Sequence, residues 1–157
     1  KNLKEKISSK FGDLFESGGN TYNEALQLYY ANGPKENWEQ NYISAYASAH
    51  PIEDWAESWS HYLLIIDALE TLEEEGYIKD SLNSLNVYQK LEKWESLSFG
   101  INQITRSLGM QDAYPFSLCE SVREKIAVVS EFIHSLSSGE TFLKQDNDRF
   151  HGESTIN

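Results

Sequence analysis

From Pro51 to about Glu75 the chain carries one long amphipathic pattern that dictates most of what it can fold into. Ile52, Trp55, Ala56, Trp59, Tyr62, Leu63, Ile66, Leu69 and Leu72 recur three and four positions apart, the spacing that lines one face of an α-helix. Pro51 has the fixed φ suited to a first helical position, which makes His50 the expected N-cap, and Gly76 is the expected stop. A helix with so wide an apolar stripe is stable only when other elements cover it. The rest of the chain must therefore supply helices, strands or loops that pack around this one.

The flanking patterns supply helices. Leu3, Ile7, Phe11, Leu14 and Phe15 repeat at helical spacing before Gly18-Gly19. Thr21 followed by Glu24 has the form of a capping box, and Asn32-Gly33-Pro34 closes the helix it opens. A short helix is expected from Trp38 to about Ser44, followed by an irregular link carrying Tyr46. After the polar turn at 81–86, Val87, Leu91, Trp94, Leu97, Ile101 and Ile104 mark another long helix reaching Leu108, with Gly109 behind it. Asp112 to Pro115 reads as a turn, and Ser117 with Glu120 is expected to cap a last helix built on Leu118, Val122, Ile126, Val129, Phe132, Ile133 and Leu136. No alternating strand pattern and no internal repeat appears. The expectation is an all-α, irregular multi-helix bundle of about five to six helices: a single domain over 1–137, then a polar, disordered tail over 138–157.

Composition narrows the function. Thirteen basic and 25 acidic residues leave a formal charge of -12, so phosphate backbones would be repelled and nucleic-acid binding is excluded as a working idea. Four Trp, nine Tyr and seven Phe supply large core pieces, which a disordered chain lacks. Cys119 is the single cysteine, so neither an internal disulfide nor a cysteine zinc site can form, and a reducing, cytoplasmic setting is expected. No run approaches 18 consecutive apolar residues, so no membrane association is expected.

Against this background the stretch Ser44 to Tyr62 is unusual, because it sets ionisable groups in a run rich enough in Trp, Tyr and Ala to be buried. On a helix starting at Pro51, Glu53, Glu57 and His61 follow one another at i, i+4 and i+8 on one face. Buried acids cost several kcal/mol, on the order of a whole site's stabilisation, unless paired, hydrogen-bonded or metal-bound. The block therefore reads as part of a site. Read from the residues alone, Glu53 also serves as an N-terminal helix acid favoured by the macrodipole, and Tyr46 and His61 also serve as core residues. Asp54 is expected to bond locally near the helix start, Trp55, Trp59 and Trp94 to lie in the core, and Arg106 to be a structural partner for a buried acid.

The block resembles the third-ligand helix of the gluzincin metallopeptidases: Glu53-Asp54-Trp55-Ala56-Glu57 has the form Glu-x-x-x-Glu, with Tyr46 seven residues before the first Glu. Ser44 to Thr71, together with Leu108 to Phe116, is similar to a bacterial family of zinc-binding, zincin-like metallopeptidases, over roughly Phe11 to Leu136. The resemblance implies zinc as cofactor, a peptide or protein substrate, and a reaction in which activated water hydrolyses a peptide bond. By the same resemblance Glu53 is the third zinc ligand, and Tyr46 is the catalytic phenol that donates to the oxyanion. Glu57 would accept a hydrogen bond from a zinc-bound histidine and fix its tautomer, and His50 would stand on the substrate side. Ile52 stands where relatives carry Trp, and Leu64 where they carry His; neither position is needed for zinc.

The family also needs His-Glu-x-x-His for two further ligands and a general base. The four histidines, His50, His61, His134 and His151, include no pair at i, i+4. The chain opens on Lys1 inside a helix-like pattern, so the expectation is the C-terminal helical subdomain of a longer gluzincin-like enzyme, inactive by itself, whose partner is the N-terminal part carrying His-Glu-x-x-His. The competing expectation is a non-catalytic helical interaction module with a buried acidic network.

Overall fold

A computed structural model describes residues 12, 14, 15 and 19–137. Among the described residues there are four α-helices, α1 (Tyr22–Asn32), α2 (Pro51–Glu74), α3 (Val87–Ser107) and α4 (Glu120–Ser137), three short 3-10 turns, and no strand. The fold class is all-α. The helix predicted from Leu3 to Phe15 and the tail 138–157 lie outside the described residues, apart from a few positions.

Local signals set the helix ends. Thr21 and Glu24 form a complete capping box on α1: the Thr21 hydroxyl accepts from the Glu24 amide, and the Glu24 carboxylate accepts from the Thr21 amide at 2.9 Å. His50 caps α2 as expected, its Nδ1 accepting from the Ile52 amide at 3.1 Å. Beyond α2 and α3, Gly76 and Gly109 take φ of 79° and 74°. That left-handed geometry lets the Tyr77 and Met110 amides reach back to the Leu72 and Thr105 carbonyls, each at 2.9 Å, and suits glycine best. Asn86 caps α3 through a second capping box with Gln89, where the sequence had suggested only a polar turn.

α2 is the central element, packed against α4, α3 and the 3-10 turn Tyr46–Ala49. Ile65, Leu69, Val122, Ile126 and Val129 are fully buried at their meeting, and each such aliphatic side chain contributes about 1.5–3 kcal/mol. Tyr114 and Leu118, on the extended segment before α4, close the same cluster together with Trp94 and Leu91 from α3.

Several expectations change. The segment predicted as a helix from Trp38 to Ser44 holds only a three-residue 3-10 turn, Trp38–Gln40, preceded by Asn37 at φ 53°. Tyr46 lies on a second 3-10 turn rather than on an irregular link. Among the described residues the α-helices number four, and the N-terminal pattern lies outside them. The last helix starts at Glu120, because Leu118 must plug the core and the Cys119 thiol turns to donate to the Gln40 carbonyl at 3.2 Å. The buried face of α2 is also rotated from the one predicted. Asp54, Ser58, His61, Tyr62, Ile65 and Leu69 point inward, while Ile52, Ala56 and Leu63 are exposed.

Candidate metal-ligand corner

Glu53 is the third residue of α2, held in place by the His50 cap and by the Asp54 amide, which donates to the His50 carbonyl at 3.0 Å. Its carboxylate points toward α1. There the Tyr22 hydroxyl donates to Glu53 Oε1. Tyr22 is the first residue of α1, so the capping box that starts this helix also sets the phenol's position. The Tyr22 ring lies edge-on to the His50 ring, with centroids 5.2 Å apart and planes at 86°. The hydrogen bond to Glu53, then burial and the carboxylate's charge, push the Tyr22 pKa upward.

Tyr46 reaches the same carboxylate from the 3-10 turn. Burial, then the charge of Glu53 and the neighbouring phenols of Tyr22 and Tyr30, push its pKa up to about 12. Tyr46 thus keeps its proton at neutral pH and remains a donor. Its ring packs edge-on against Tyr29 of α1 at 5.7 Å. Glu57, one turn beyond Glu53, supports that turn from below: the Ser44 hydroxyl donates to Glu57 Oε2 at 2.9 Å and accepts from the Ala47 amide at 3.0 Å. A cleft of about 270 Å³ runs alongside, between α1 and this turn, with Leu28, Tyr29, Pro34 and Ala49 among its walls.

The structure thus brings Glu53, Tyr46 and His50 to one corner, and adds Tyr22 and Ser44, which sequence reasoning did not single out. Their partners are fixed by contacts between α1, the turn and α2 that no local spacing encodes. The i, i+4, i+8 trio does not converge on one point. Glu53 takes Tyr22, Glu57 takes Ser44, and His61 is a buried residue whose Nδ1 lies 2.9 Å from the Tyr114 hydroxyl. Burial lowers the His61 pKa against the opposing pull of Glu57. Phe116 packs edge-on to the His61 ring at 4.5 Å.

Asp54 corrects a second expectation. Rather than bonding locally it faces the core, where Oδ2 stands 2.7 Å from Lys125 Nζ of α4, with both side chains only 3% exposed. Lys125 also donates to the Asn41 carbonyl at 2.6 Å and lies over the Tyr42 ring at 4.3 Å. Burial, opposed by Lys125, pushes the Asp54 pKa up to about 6. Asp54 Oδ1 and the Ser58 hydroxyl have no hydrogen-bond partner among the described residues. The signal was present in the sequence: a lysine immediately before Ile126-Ala127-Val128-Val129, on the apolar side of a helix, calls for a buried acid. Arg106 pairs with Asp112 through two bonds of 2.5 Å on the surface rather than with a buried acid.

Among the described residues no group of three His, Cys, Asp or Glu side chains is placed to hold a metal ion. The donor set at this corner is one carboxylate flanked by two phenols. It fits a single ligand of a zinc site with supporting hydrogen-bond donors, and does not fit a complete site. Nor is any helix of the described residues long and apolar enough to cross a membrane.

Comparisons with known proteins show the family of the chain. Residues 1–134 match the family described as "Putative zinc-binding metallo-peptidase", and the chain belongs to that family. Uncharacterized proteins of Mycobacterium bovis and of two strains of Mycobacterium tuberculosis are each 37% identical to it over 135 residues. That match takes in 82% of this chain and 38% of each of theirs, so the chain spans well under half the length of these relatives. No solved structure matches significantly.

Proposed function

We propose that this chain supplies the carboxylate ligand and the oxyanion donor of a zinc metallopeptidase whose remaining ligands and general base come from a His-Glu-x-x-His segment elsewhere in the complete protein. The observation that carries the reading is the pairing of Glu53 and Tyr46 at one corner, a carboxylate at the rigid start of a central helix beside a phenol that holds its proton. Glu53 would hold the metal. Zinc, when bound, supplies the Lewis acidity that activates water and polarises a carbonyl. Tyr46 would donate its phenolic proton in a hydrogen bond to the oxygen that gains negative charge as a peptide carbonyl is attacked. Glu57, through Ser44, steadies the turn that carries Tyr46, and a neighbouring histidine ligand could take its place in that bond. The cleft lined by Leu28, Tyr29, Pro34 and Ala49 lies on the α1 side of the turn that carries Tyr46 and is the candidate place for part of a peptide substrate. His50 commits its Nδ1 to the helix cap and would meet substrate with the rest of its ring.

The test uses the protein expressed from its full natural reading frame. Stoichiometric zinc and peptide hydrolysis are expected in the parent, and Glu53→Ala should lose most of the zinc. Tyr46→Phe should keep the zinc while kcat falls about 10²- to 10³-fold, the usual cost of removing one oxyanion donor. A full-length protein that purifies without zinc and fails to take it up would overturn the proposal in favour of the helical interaction module.

A further inference from the structure

We infer that Tyr22 is a positioning residue for Glu53, and that the first turn of α1 is thereby part of the metal site although it supplies no ligand. The inference rests on the reading of Glu53 as a ligand. A carboxylate on a flexible three-bond side chain has several rotamers open to it at the start of a helix, and only some of them aim an oxygen at a fixed point. The Tyr22 hydroxyl selects among them by donating to Oε1. That leaves Oε2 as the oxygen to be offered to a metal, since a carboxylate can accept on one oxygen while it ligates through the other.

Tyr22 is oriented from both its backbone and its ring, as a positioning residue must be. The Thr21–Glu24 capping box fixes its backbone as the first residue of α1. The edge-on contact with the His50 ring fixes its side chain, and His50 is in turn the cap of the helix that carries Glu53. The two helix starts are thus locked to each other: cap to ring, ring to ring, and phenol to carboxylate. Tyr46 faces the same carboxylate from the adjoining turn, with its ring against Tyr29 of α1; Tyr22 is the phenol that ties Glu53 to the start of α1.

The experiment is a zinc competition titration against a chromogenic chelator, run on the full-length protein and three variants, with melting temperatures recorded alongside. Tyr22→Phe keeps the ring and its contact with His50 and removes only the hydroxyl. It is expected to weaken zinc binding about 10- to 100-fold, the usual cost of losing a group that orients a ligand, with an unchanged melting temperature. Tyr46→Phe, which removes the other phenol facing Glu53, is expected to weaken zinc binding less than Tyr22→Phe does. Glu53→Ala sets the floor. Parent-like zinc affinity in Tyr22→Phe, with Glu53→Ala impaired, would overturn this inference and leave the ligand reading standing. Parent-like affinity in Glu53→Ala would remove the ligand reading, and this inference with it.

Discussion

Asp54 and Lys125 meet in the core with almost no access to water, and a pair of this kind is asymmetric in its energetics. Removing one charge leaves the other buried without a partner, which costs about 3–5 kcal/mol, whereas replacing both with apolar groups of similar volume is often neutral or stabilising by about 1–4 kcal/mol. Asp54→Asn should therefore lose several kcal/mol, and the double change Asp54→Leu with Lys125→Met should recover it or exceed the parent, as read by urea unfolding. His61 gives a pH dependence. Its folded pKa lies below the value of about 6.5 expected in the unfolded chain, so the unfolded state binds the proton first as the pH drops. Its contribution to stability is present above about pH 6.5 and is lost as the pH falls through the folded pKa. Unfolding measured from about pH 7.5 down to pH 5 should show this loss in the parent, and His61→Gln should flatten that component of the profile. Both residues show what the sequence conceals. An acid and a histidine inside an aromatic-rich run announce burial, but whether they serve a site or the core depends on Lys125 and Tyr114, which lie far along the chain.

At the scale of elements, α1 stands apart, because none of its residues is buried. Its stability comes from the capping box, from Gly33 at its end, and from the few contacts its Tyr22 and Tyr29 rings make. A helix of this length is marginal in water without such help. Thr21→Ala should cost about 1 kcal/mol of local helix stability, and amide exchange should quicken within α1 while the amides of α2 and α4 keep the parent's protection. This element was legible in the sequence from end to end, because caps are written in adjacent residues. So were the starts of α2 and the stops of α2 and α3. The buried face of α2 was not. Hydrophobic spacing put Ile52, Ala56 and Leu63 inward, while the packing chose Asp54, Ser58 and His61, which a local scale scores as surface residues. The segment from Trp38 to Ala49 was misread for a related reason: its two short 3-10 turns, the second held by the Ser44 and Ser48 side chains, carry no helical period to detect.

For the whole molecule, the all-α class followed from the absence of any strand pattern around one dominant amphipathic helix, and the family resemblance read from the sequence is matched by the family model over residues 1–134. What spacing alone did not give was the corner itself, where residues from α1, a 3-10 turn and α2 converge on one carboxylate. One packing feature has an optical consequence. Trp55 and Trp59 of α2 stack edge-on with each other and with Phe132 of α4, at centroid distances of 5.5, 5.9 and 5.7 Å, and Trp55 also meets Phe15 at 5.2 Å. Two of the chain's four indoles therefore sit on the seam between its two most tightly packed helices, within two turns of the proposed ligand. Their emission is a native dye for that seam, shifting to longer wavelength when α4 parts from α2, with no label attached.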